Sequence, residues 1–347
     1  MTRIGIIGFG FMGRIHLRSY LADGRADIAA VADPRHDCLT RETPAGNIDQ
    51  RSGQTFDLTR LKRHADYRDL IADDSIEAVS ICSPTSQHVE MSIAALQAGK
   101  HVLVEKPLGL TSREAMRVVE AASATSTAIV AMPAMCMRFW PAWRWLKEAI
   151  DDGRYGPVKS AALTRLGSMP KWSSFYFDER ESGGGILDLH IHDADFVRYC
   201  FGDPRTVFST GYSQTTGDVD HVVTTYDYAG SPPLVTAEGG WSMRPGFQFV
   251  MRYVVNFEKA TATFDLHRKP QLLVNRADER EELIELPGFD GWEGEIRYFL
   301  DCIETGTPPT VVTMRDGAEA VRLVEAERQS ARTRSAVAFK HDAEGYS

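Results

Sequence analysis

The stretch Ile4-Gly5-Ile6-Ile7-Gly8-Phe9-Gly10-Phe11-Met12-Gly13 decides how the chain begins to fold. Its apolar start predicts a buried strand, and a G-x-G-x-x-G sequence follows that strand at once. The first glycine permits a tight turn, the second lets the backbone approach an anion, and the third allows a helix to pack closely on the strand. The N-terminus of that helix offers unpaired amides to the anion. A glycine-rich turn without a ligand is the alternative, because the motif alone is weakly specific.

Four further apolar segments continue this pattern along the first third of the chain. They are short, rich in Val and Ile, and separated by helical patterns, as expected of parallel strands that are covered on both faces. The predicted strands are residues 28–32, 78–81, 102–104 and 128–131. A capping-box sequence, Thr111-Ser112-Arg113-Glu114, marks the start of one intervening helix. We therefore predict a doubly wound α/β domain of the dinucleotide-binding type over residues 1–131.

The pattern changes from about residue 132 onward. Alternating segments follow one another with turn residues between them, which indicates an open, largely antiparallel sheet. Helical patterns interrupt the sheet at residues 185–201 and return at residues 293–303 and 316–331. A chain of 347 residues is also long for one hydrophobic core. We predict a second, α+β domain over residues 132–347.

Charge and cysteine content narrow the class of partner. The formal net charge of −9 argues against nucleic acid or an anionic membrane, because proteins that bind these present a basic face. The five cysteines are scattered without a Cys-x-x-Cys pair, which indicates reduced thiols rather than disulfides or a zinc site. The longest uncharged stretch, residues 121–137, is too short and too polar to span a bilayer. We expect a cytoplasmic protein that acts on a small molecule and holds no metal.

Asp33 gives the glycine motif a chemical context. It stands at the end of the second predicted strand, where an acid accepts hydrogen bonds from the ribose hydroxyls of an adenosine. A carboxylate there favours NAD, because it repels the 2′-phosphate of NADP. Arg35 lies close by and is able to bind such a phosphate, so NADP stays possible. A turn-forming Asp before Pro34 is the structural alternative.

Two later segments carry side chains suited to acid–base chemistry. The fourth predicted strand ends in Glu105-Lys106-Pro107, and ligands of open α/β sheets bind beyond the carboxyl ends of strands. After three glycines, Asp188 and His192 are four residues apart and share one helix face. An imidazole takes a proton from a hydroxyl more readily when a carboxylate orients it. The alternatives are an exposed lysine, a solvated polar helix face, and a metal site that includes His190.

Several motifs in one order resemble the glucose–fructose oxidoreductase/inositol dehydrogenase (Gfo/Idh/MocA) family. They are the glycine turn, Ser83-Pro84-Thr85 with His88, Glu105-Lys106-Pro107, Arg138-Phe139-Trp140-Pro141, and the segment from Gly183 to His192. The resemblance covers nearly the whole chain and is more specific than any single motif. It implies a Rossmann domain followed by an α+β domain whose open sheet mediates homodimers or homotetramers.

The resemblance also implies roles for individual residues. Carried over by position, His192 acts as general base, Lys106 orients the hydroxyl and stabilises alkoxide charge, and Asp188 holds the arrangement. The cofactor contacts that it implies, together with those that the residues themselves suggest, are Gly8, Phe9, Gly10, Phe11, Met12, Gly13, Asp33, Arg35, Ser83, Thr85, His88, Glu105 and Lys106. Substrate contacts are expected at Arg138, Trp172 and His190, with Phe175 and Tyr176 as a further wall or as ordinary core.

The function implied is hydride transfer between a nicotinamide and a hydroxyl carbon of a sugar, inositol or related polyol. Two alternatives remain open on the sequence. One is a glycosidase of the same fold that retains NAD and oxidises its substrate transiently. The other is a regulator that binds a nucleotide without catalysis, although such a protein is expected to have lost Lys106 or His192.

Overall fold

The computed structural model describes residues 1–40, 57–171, 173–230 and 232–339. Its first layer is a six-stranded parallel sheet in the order β3-β2-β1-β4-β5-β6. The strands are β1 (Thr2–Ile7), β2 (Ala26–Ala32), β3 (Lys62–His64), β4 (Ala78–Ile81), β5 (His101–Glu105) and β6 (Ala131–Ala134). This order reverses direction between β1 and β4, which is where doubly wound sheets open a crevice for a ligand. The predicted doubly wound α/β fold is confirmed.

Burial explains why the sheet was readable from sequence. All four residues of β4 and the last four of β1 are buried, as strands covered on both faces must be. The prediction at residues 128–131 was three residues early, since β6 starts at Ala131. The short β3 was not predicted, because its sequence, Lys62-Arg63-His64, is polar and lies at the sheet edge.

Helices pack on this sheet and continue into the rest of the chain. They are α1 (Phe11–Asp23), α2 (Tyr67–Ile71), α3 (Thr85–Gln97), α4 (Ser112–Ala124), α5 (Pro141–Asp151), α6 (Glu179–Ser182), α7 (Ile191–Phe201), α8 (Gly291–Thr305) and α9 (Met314–Thr333). Thr111 caps α4 reciprocally with Glu114, as the capping-box sequence predicted. The residues directly before α7, Ile186–His190, form a π-helical turn. This geometry is often found at functional sites.

The second layer is a nine-stranded mixed sheet in the order β14-β13-β12-β11-β7-β10-β9-β8-β15. Its strands are β7 (Val158–Ser168), β8 (Thr206–Tyr212), β9 (His221–Asp227), β10 (Leu234–Met243), β11 (Val250–Phe257), β12 (Ala260–Asp265), β13 (Leu272–Arg276), β14 (Glu281–Ile284) and β15 (Val337–Ala338). β7 pairs with β10 in parallel, and the other described pairs are antiparallel. Buried and exposed residues alternate along β9 and β11, so one face of the sheet is covered and the other is open.

The last two helices return to the first sheet. α8 packs on α1 and α9 on α4. The Arg18 guanidinium pairs with Asp290 at 2.8 Å, and the Ser112 hydroxyl donates to Glu325 at 2.5 Å. Strand β6 (Ala131–Ala134) contains the domain boundary that we predict between residues 131 and 132. The exact position of that boundary stays a prediction.

Two sequence features complete the fold. The sequence between the second and third predicted strands is polar from roughly residue 35 to residue 63 and contains Pro44, Gly46 and Gly53, which predicts a loop insertion. Residues 41–56 of this tract lie outside the described part. Within the described ranges, no helix combines the length and the apolar character that crossing a membrane requires.

Candidate active site

A cavity of about 870 Å³ lies between the carboxyl ends of the parallel strands and the second sheet. This volume is at the upper end of the range for small-molecule and cofactor sites. Both domains contribute to its wall. Glycine-turn residues and Asp33 line one part, and Lys106, Asp188 and His192 line another.

The glycine turn has the geometry that its sequence predicts. Gly8 has φ +86°, and a Cβ there would come within 2.6 Å of the Cys82 carbonyl oxygen. A Cβ on Gly13 would lie 2.1 Å from the Gly8 carbonyl oxygen, so the helix packs directly on the turn. A Cβ on Gly10 would approach only Arg35, at 3.9 Å. The backbone at Gly10 is therefore open to a ligand, at a helix N-terminus without a side-chain cap.

Asp33 is an ionised acid at the edge of this turn. It accepts hydrogen bonds from the Phe9 amide at 2.8 Å and from the Arg35 Nε and Nη2 at 2.9 and 2.6 Å. Burial favours the neutral acid, but these hydrogen bonds outweigh it and lower the pKa of Asp33. The carboxylate and Arg35 both line the cavity. Together with the open turn, they fit the pyrophosphate and ribose of a dinucleotide.

The remaining predicted cofactor contacts differ in what they touch. Ser83, Thr85 and Glu105 line the cavity, as do Phe9, Phe11 and Met12. His88 also reaches the cavity, but its two ring nitrogens lie 2.9 Å from the Ser83 carbonyl oxygen and 2.8 Å from that of Pro107. The His88 side chain therefore connects the loops that follow β4 and β5 by hydrogen bonds. Gly13 does not line the cavity, since it packs α1 on the turn.

Lys106 and Asp188 meet across the two domains. The Lys106 ammonium donates to the Asp188 carboxylate at 3.0 Å and to its backbone carbonyl at 2.5 Å. Asp188 lies in the π-helical turn, so this turn presents two oxygen atoms of one residue to the same cation. The pair is partly exposed to the cavity, with side-chain exposures of 13% and 15%.

His192 lies beside this pair as an unprotonated base. Its Nδ1 has no hydrogen-bond partner among the described residues. Removal from solvent, and then the charges of Lys106 and Arg165, lower the pKa of His192 well below its ordinary value. The imidazole is therefore neutral at pH 7 and able to accept a proton.

Two of the residues predicted as substrate contacts do not line the cavity. His190 is fully buried, lies 3.0 Å from the Glu327 carboxylate and does not line the cavity. Arg138 donates to both oxygens of Asp195, at 2.9 and 2.6 Å, and is buried away from the cavity. Both side chains are already paired with buried carboxylates. The third, Trp172, lies outside the described residues, whereas Phe175 and Tyr176 do line the cavity.

Sequence reasoning missed several residues of the cavity wall. Arg165 of β7 lines the cavity and donates to both oxygens of Asp193, at 2.7 and 3.1 Å. Trp140 and Trp292 pack edge to face with ring centroids 5.5 Å apart and also line it. Arg165 shares a strand face with Ala161 and Leu163, so a charged residue in phase with apolar ones was the available signal. Nothing local marked Trp292, which is distant in sequence from every other part of the site.

Comparison with known proteins agrees with this architecture. Residues 2–132 match the oxidoreductase family, NAD-binding Rossmann fold, and residues 143–263 match the GFO/IDH/MocA C-terminal domain. The chain is 28% identical to the myo-inositol 2-dehydrogenase of Thermotoga maritima, over 94% of this chain and 96% of that protein. It is 26% identical to the scyllo-inositol 2-dehydrogenase (NAD(+)) of Bacillus subtilis, over 89% and 88%.

Solved structures share the fold. A levoglucosan dehydrogenase in complex with NADH and levoglucosan superposes with a TM-score of 0.81 at 22% identity, covering 97% of this chain and 99% of that one. A probable dehydrogenase from Thermotoga maritima gives a TM-score of 0.77 at 27% identity, covering 97% and 98%. With both domains matched in order along one chain, this protein belongs to the Gfo/Idh/MocA family of oxidoreductases with an NAD-binding Rossmann fold.

Proposed function

We propose that the protein is an NAD-dependent dehydrogenase that oxidises a hydroxyl carbon of a sugar, inositol or related polyol, or reduces the corresponding carbonyl. The observation that carries this proposal is the convergence of Lys106, Asp188 and His192 in one cavity with the glycine turn. Relatives named as inositol dehydrogenases, and a fold neighbour crystallised with NADH and levoglucosan, support the substrate class.

The three side chains divide the work at the hydroxyl group. NAD bound along the glycine turn supplies a hydride acceptor. The neutral His192 takes the hydroxyl proton, because its lowered pKa keeps a lone pair available at pH 7. The Lys106 ammonium stabilises negative charge that develops on the same oxygen. Asp188 fixes the direction of that ammonium through two hydrogen bonds.

The charges of the cavity favour an uncharged substrate. The two cations beside His192, Lys106 and Arg165, each pair with a carboxylate, Asp188 and Asp193. A substrate carboxylate would have to compete with these ion pairs. The aromatic rings of Phe175 and Tyr176 offer an apolar surface to the carbon face of a ring. This combination suits a neutral polyol.

The preference for NAD over NADP rests on Asp33. Its lowered pKa keeps it negative at pH 7, which opposes a 2′-phosphate. Arg35 is engaged by the same carboxylate at 2.6 Å, so it is not available to a phosphate in this conformation.

Separate titrations of NAD, NADH, NADP and NADPH test the cofactor part of the proposal. We expect tight binding of NAD and NADH, weak binding of NADP and NADPH, and turnover of inositols or sugars followed at 340 nm. Folded, cofactor-free protein that binds none of the four nucleotides would contradict the proposal. Lys106→Ala and His192→Ala variants that turn over as well as the parent would contradict the assigned roles.

We propose further that the protein forms homodimers or homotetramers through the open face of the nine-stranded sheet. Large apolar side chains are exposed on its strands: Phe208, Tyr212, Val223, Leu234, Val254 and Leu283. Exposed apolar surface of this kind marks an association site. Light scattering after size exclusion should give a dimer or tetramer, and Val254→Glu should weaken it. A monomeric parent at micromolar concentration would rule this out.

A cytoplasmic location is the companion proposal. All five cysteines are free thiols, and three of them are buried. Free thiols persist in a reducing compartment. Fractionation of cells that express the protein natively should place it with cytoplasmic enzymes, and recovery outside the cytoplasm would contradict this.

A further inference from the structure

A buried cluster of His16, Glu105 and Glu295 lies behind the reacting end of the cavity. The three side chains come from α1, the end of β5 and α8, and their exposures are 0, 5 and 0%. One nitrogen or oxygen of each lies within 4.8 Å of the others. Of the three, Glu105 also lines the cavity, next in sequence to Lys106. The mechanism above gives this cluster no role.

The carboxyl groups of Glu105 and Glu295 differ in their hydrogen-bond partners. One carboxylate oxygen of Glu105 lies 3.1 Å from the His16 Nε2. The other accepts a hydrogen bond from the Lys106 amide at 3.1 Å. Neither oxygen of Glu295 has a partner among the described residues. Donors stabilise a carboxylate, and burial without donors favours the neutral acid. Burial, followed by the charges of Glu105 and Asp290, accordingly raises the pKa of Glu295 well above its ordinary value.

The hydrogen bonds of His16 point to a single ring proton. An imidazolium has two N–H donors, and a buried one needs two acceptors. The His16 Nδ1 has no partner within the described ranges, so the single proton sits on Nε2 and points to Glu105. The unpartnered Nδ1 also disfavours a metal ion here, because a metal-ligating histidine donates its other N–H to an acceptor. The cluster therefore carries one negative charge, on Glu105.

No lysine or arginine among the described residues neutralises that charge. The cations around the cluster each have a carboxylate partner of their own: Lys106 with Asp188, Arg18 with Asp290, and Arg165 with Asp193. A fixed charge in a poorly solvated wall acts strongly on a ligand placed against it. The two redox forms of the cofactor differ in this respect, since the oxidised nicotinamide carries a positive charge and the reduced one carries none.

We propose that Glu105, held as a carboxylate by His16 and by the Lys106 amide, makes this site bind NAD⁺ more tightly relative to NADH than an uncharged wall would. Glu295 serves as the neutral partner that limits the cluster to a single charge. The inference rests on the proposed function, because it requires a nicotinamide at the Lys106 end of the cavity. It identifies Glu105 as a residue that sets the preference between the two redox forms.

Calorimetric Kd values for NAD⁺ and NADH test this without turnover. Let the ratio be Kd for NADH divided by Kd for NAD⁺. In Glu105→Gln we expect the ratio to fall about tenfold, mainly through weaker NAD⁺ binding, as expected for loss of one charge at an effective dielectric constant of about 20. In Glu295→Gln, a neutral substitution of a neutral group, the ratio should stay within about twofold. Glu120→Gln, on the exposed surface of α4, is the matched control.

Each outcome decides the matter. Equal weakening of both nucleotides in Glu105→Gln would mean that Glu105 only supports the fold, and would overturn the inference while leaving the proposed function intact. A tenfold fall in Glu295→Gln would show that Glu295 carries charge, and a stoichiometric transition metal in the purified protein would show a metal centre. Either would overturn the charge assignment. Failure of the parent to bind NAD⁺ and NADH would instead overturn the proposed function.

A second variant covers the case in which Glu105→Gln does not fold. Lys106→Met removes a cation and leaves Asp188 unpaired, so the same electrostatic argument predicts a rise in the ratio. A fall, or no change, in that variant would contradict the inference.

Discussion

His190 and His192 are two residues apart at the start of one helix, yet their surroundings are opposite. His192 lines the cavity beside Lys106, and burial together with nearby cations lowers its pKa. His190 points to the other side, 3.0 Å from Glu327 and 3.5 Å from the Tyr226 hydroxyl. Burial opposes its protonation, but the Glu327 carboxylate outweighs burial and raises its pKa. One helix thus presents His192, with a lowered pKa, to the cavity and His190, with a raised pKa, to the core.

This difference shows that residue type and spacing do not assign a role. The missing side chain of Gly239 makes the room for His190, because a Cβ there would lie 2.4 Å from its Nδ1. The neighbours on the second sheet and on α9 therefore decide what His190 does. Substitutions at the two histidines and their partners should separate effects on catalysis from effects on stability.

The largest effect is expected at His192. His192→Asn removes the general base while keeping a polar side chain of similar reach, and kcat should fall about a thousandfold. The Kd of NAD⁺ and the unfolding temperature should change little. A loss of less than tenfold would place the base elsewhere. His190→Asn is the comparison, since any loss of kcat there should follow from loss of folded protein.

The second effect concerns stability rather than rate. Glu327→Ala removes the carboxylate that lies 3.0 Å from His190 in the core, and breaking a buried pair in this way costs about 3 kcal/mol. Denaturant unfolding followed by circular dichroism measures the loss. Glu120→Ala, an exposed substitution on α4, should change the unfolding free energy by less than about 0.5 kcal/mol. Equal effects of the two variants would show that the pair contributes nothing.

The third effect is the pH dependence of catalysis. Because the pKa of His192 is lowered, the base stays neutral as the pH falls below the ordinary histidine value. An unshifted histidine would lose about fourfold in kcat/KM between pH 8 and pH 6. We expect less than twofold over that interval, in buffers of constant ionic strength. A midpoint at or above pH 6.5 would contradict the lowered pKa.

The smallest effect is the pH dependence of stability at His190. Its pKa is raised in the folded state, so the pair stabilises the fold fully below the unfolded-state pKa. That stabilisation is lost as the pH rises through the raised folded-state pKa. The difference in unfolding free energy between the parent and His190→Gln should therefore be larger at pH 6 than at pH 9. A difference that grows with pH would mean that His190 is neutral in the fold.

Much of the fold and part of the site were predictable for a physical reason. The glycine turn, Asp33 and Lys106 stand at the carboxyl ends of strands, and parallel strands bring such ends to one edge. The π-helical turn still places Asp188 and His192 on the cavity side, near the position that a regular helix face predicts. Their catalytic roles remain predictions.

The remaining differences between prediction and structure come from partners that are distant in sequence. His190 and Arg138 looked available because their partners, Glu327 and Asp195, could not be identified from local sequence. Glu295 escaped notice because it becomes chemically unusual only when α8 buries it beside Glu105. β13 and the edge strand β14 were missed because their alternation is short and their outward residues are polar.

The return of α8 and α9 to the first sheet has a consequence for protein engineering. The Rossmann domain contacts the last two α-helices of the chain through the ion pair of Arg18 with Asp290 and the hydrogen bond of Ser112 with Glu325. A chimera that exchanges substrate domains between relatives at residue 131 would therefore place foreign helices against native α1 and α4. Because α9 also packs on β8 and carries Glu327, the partner of His190, an exchange of residues 132–289 alone would break that pair, so a working chimera has to preserve the contacts of α9 with both domains.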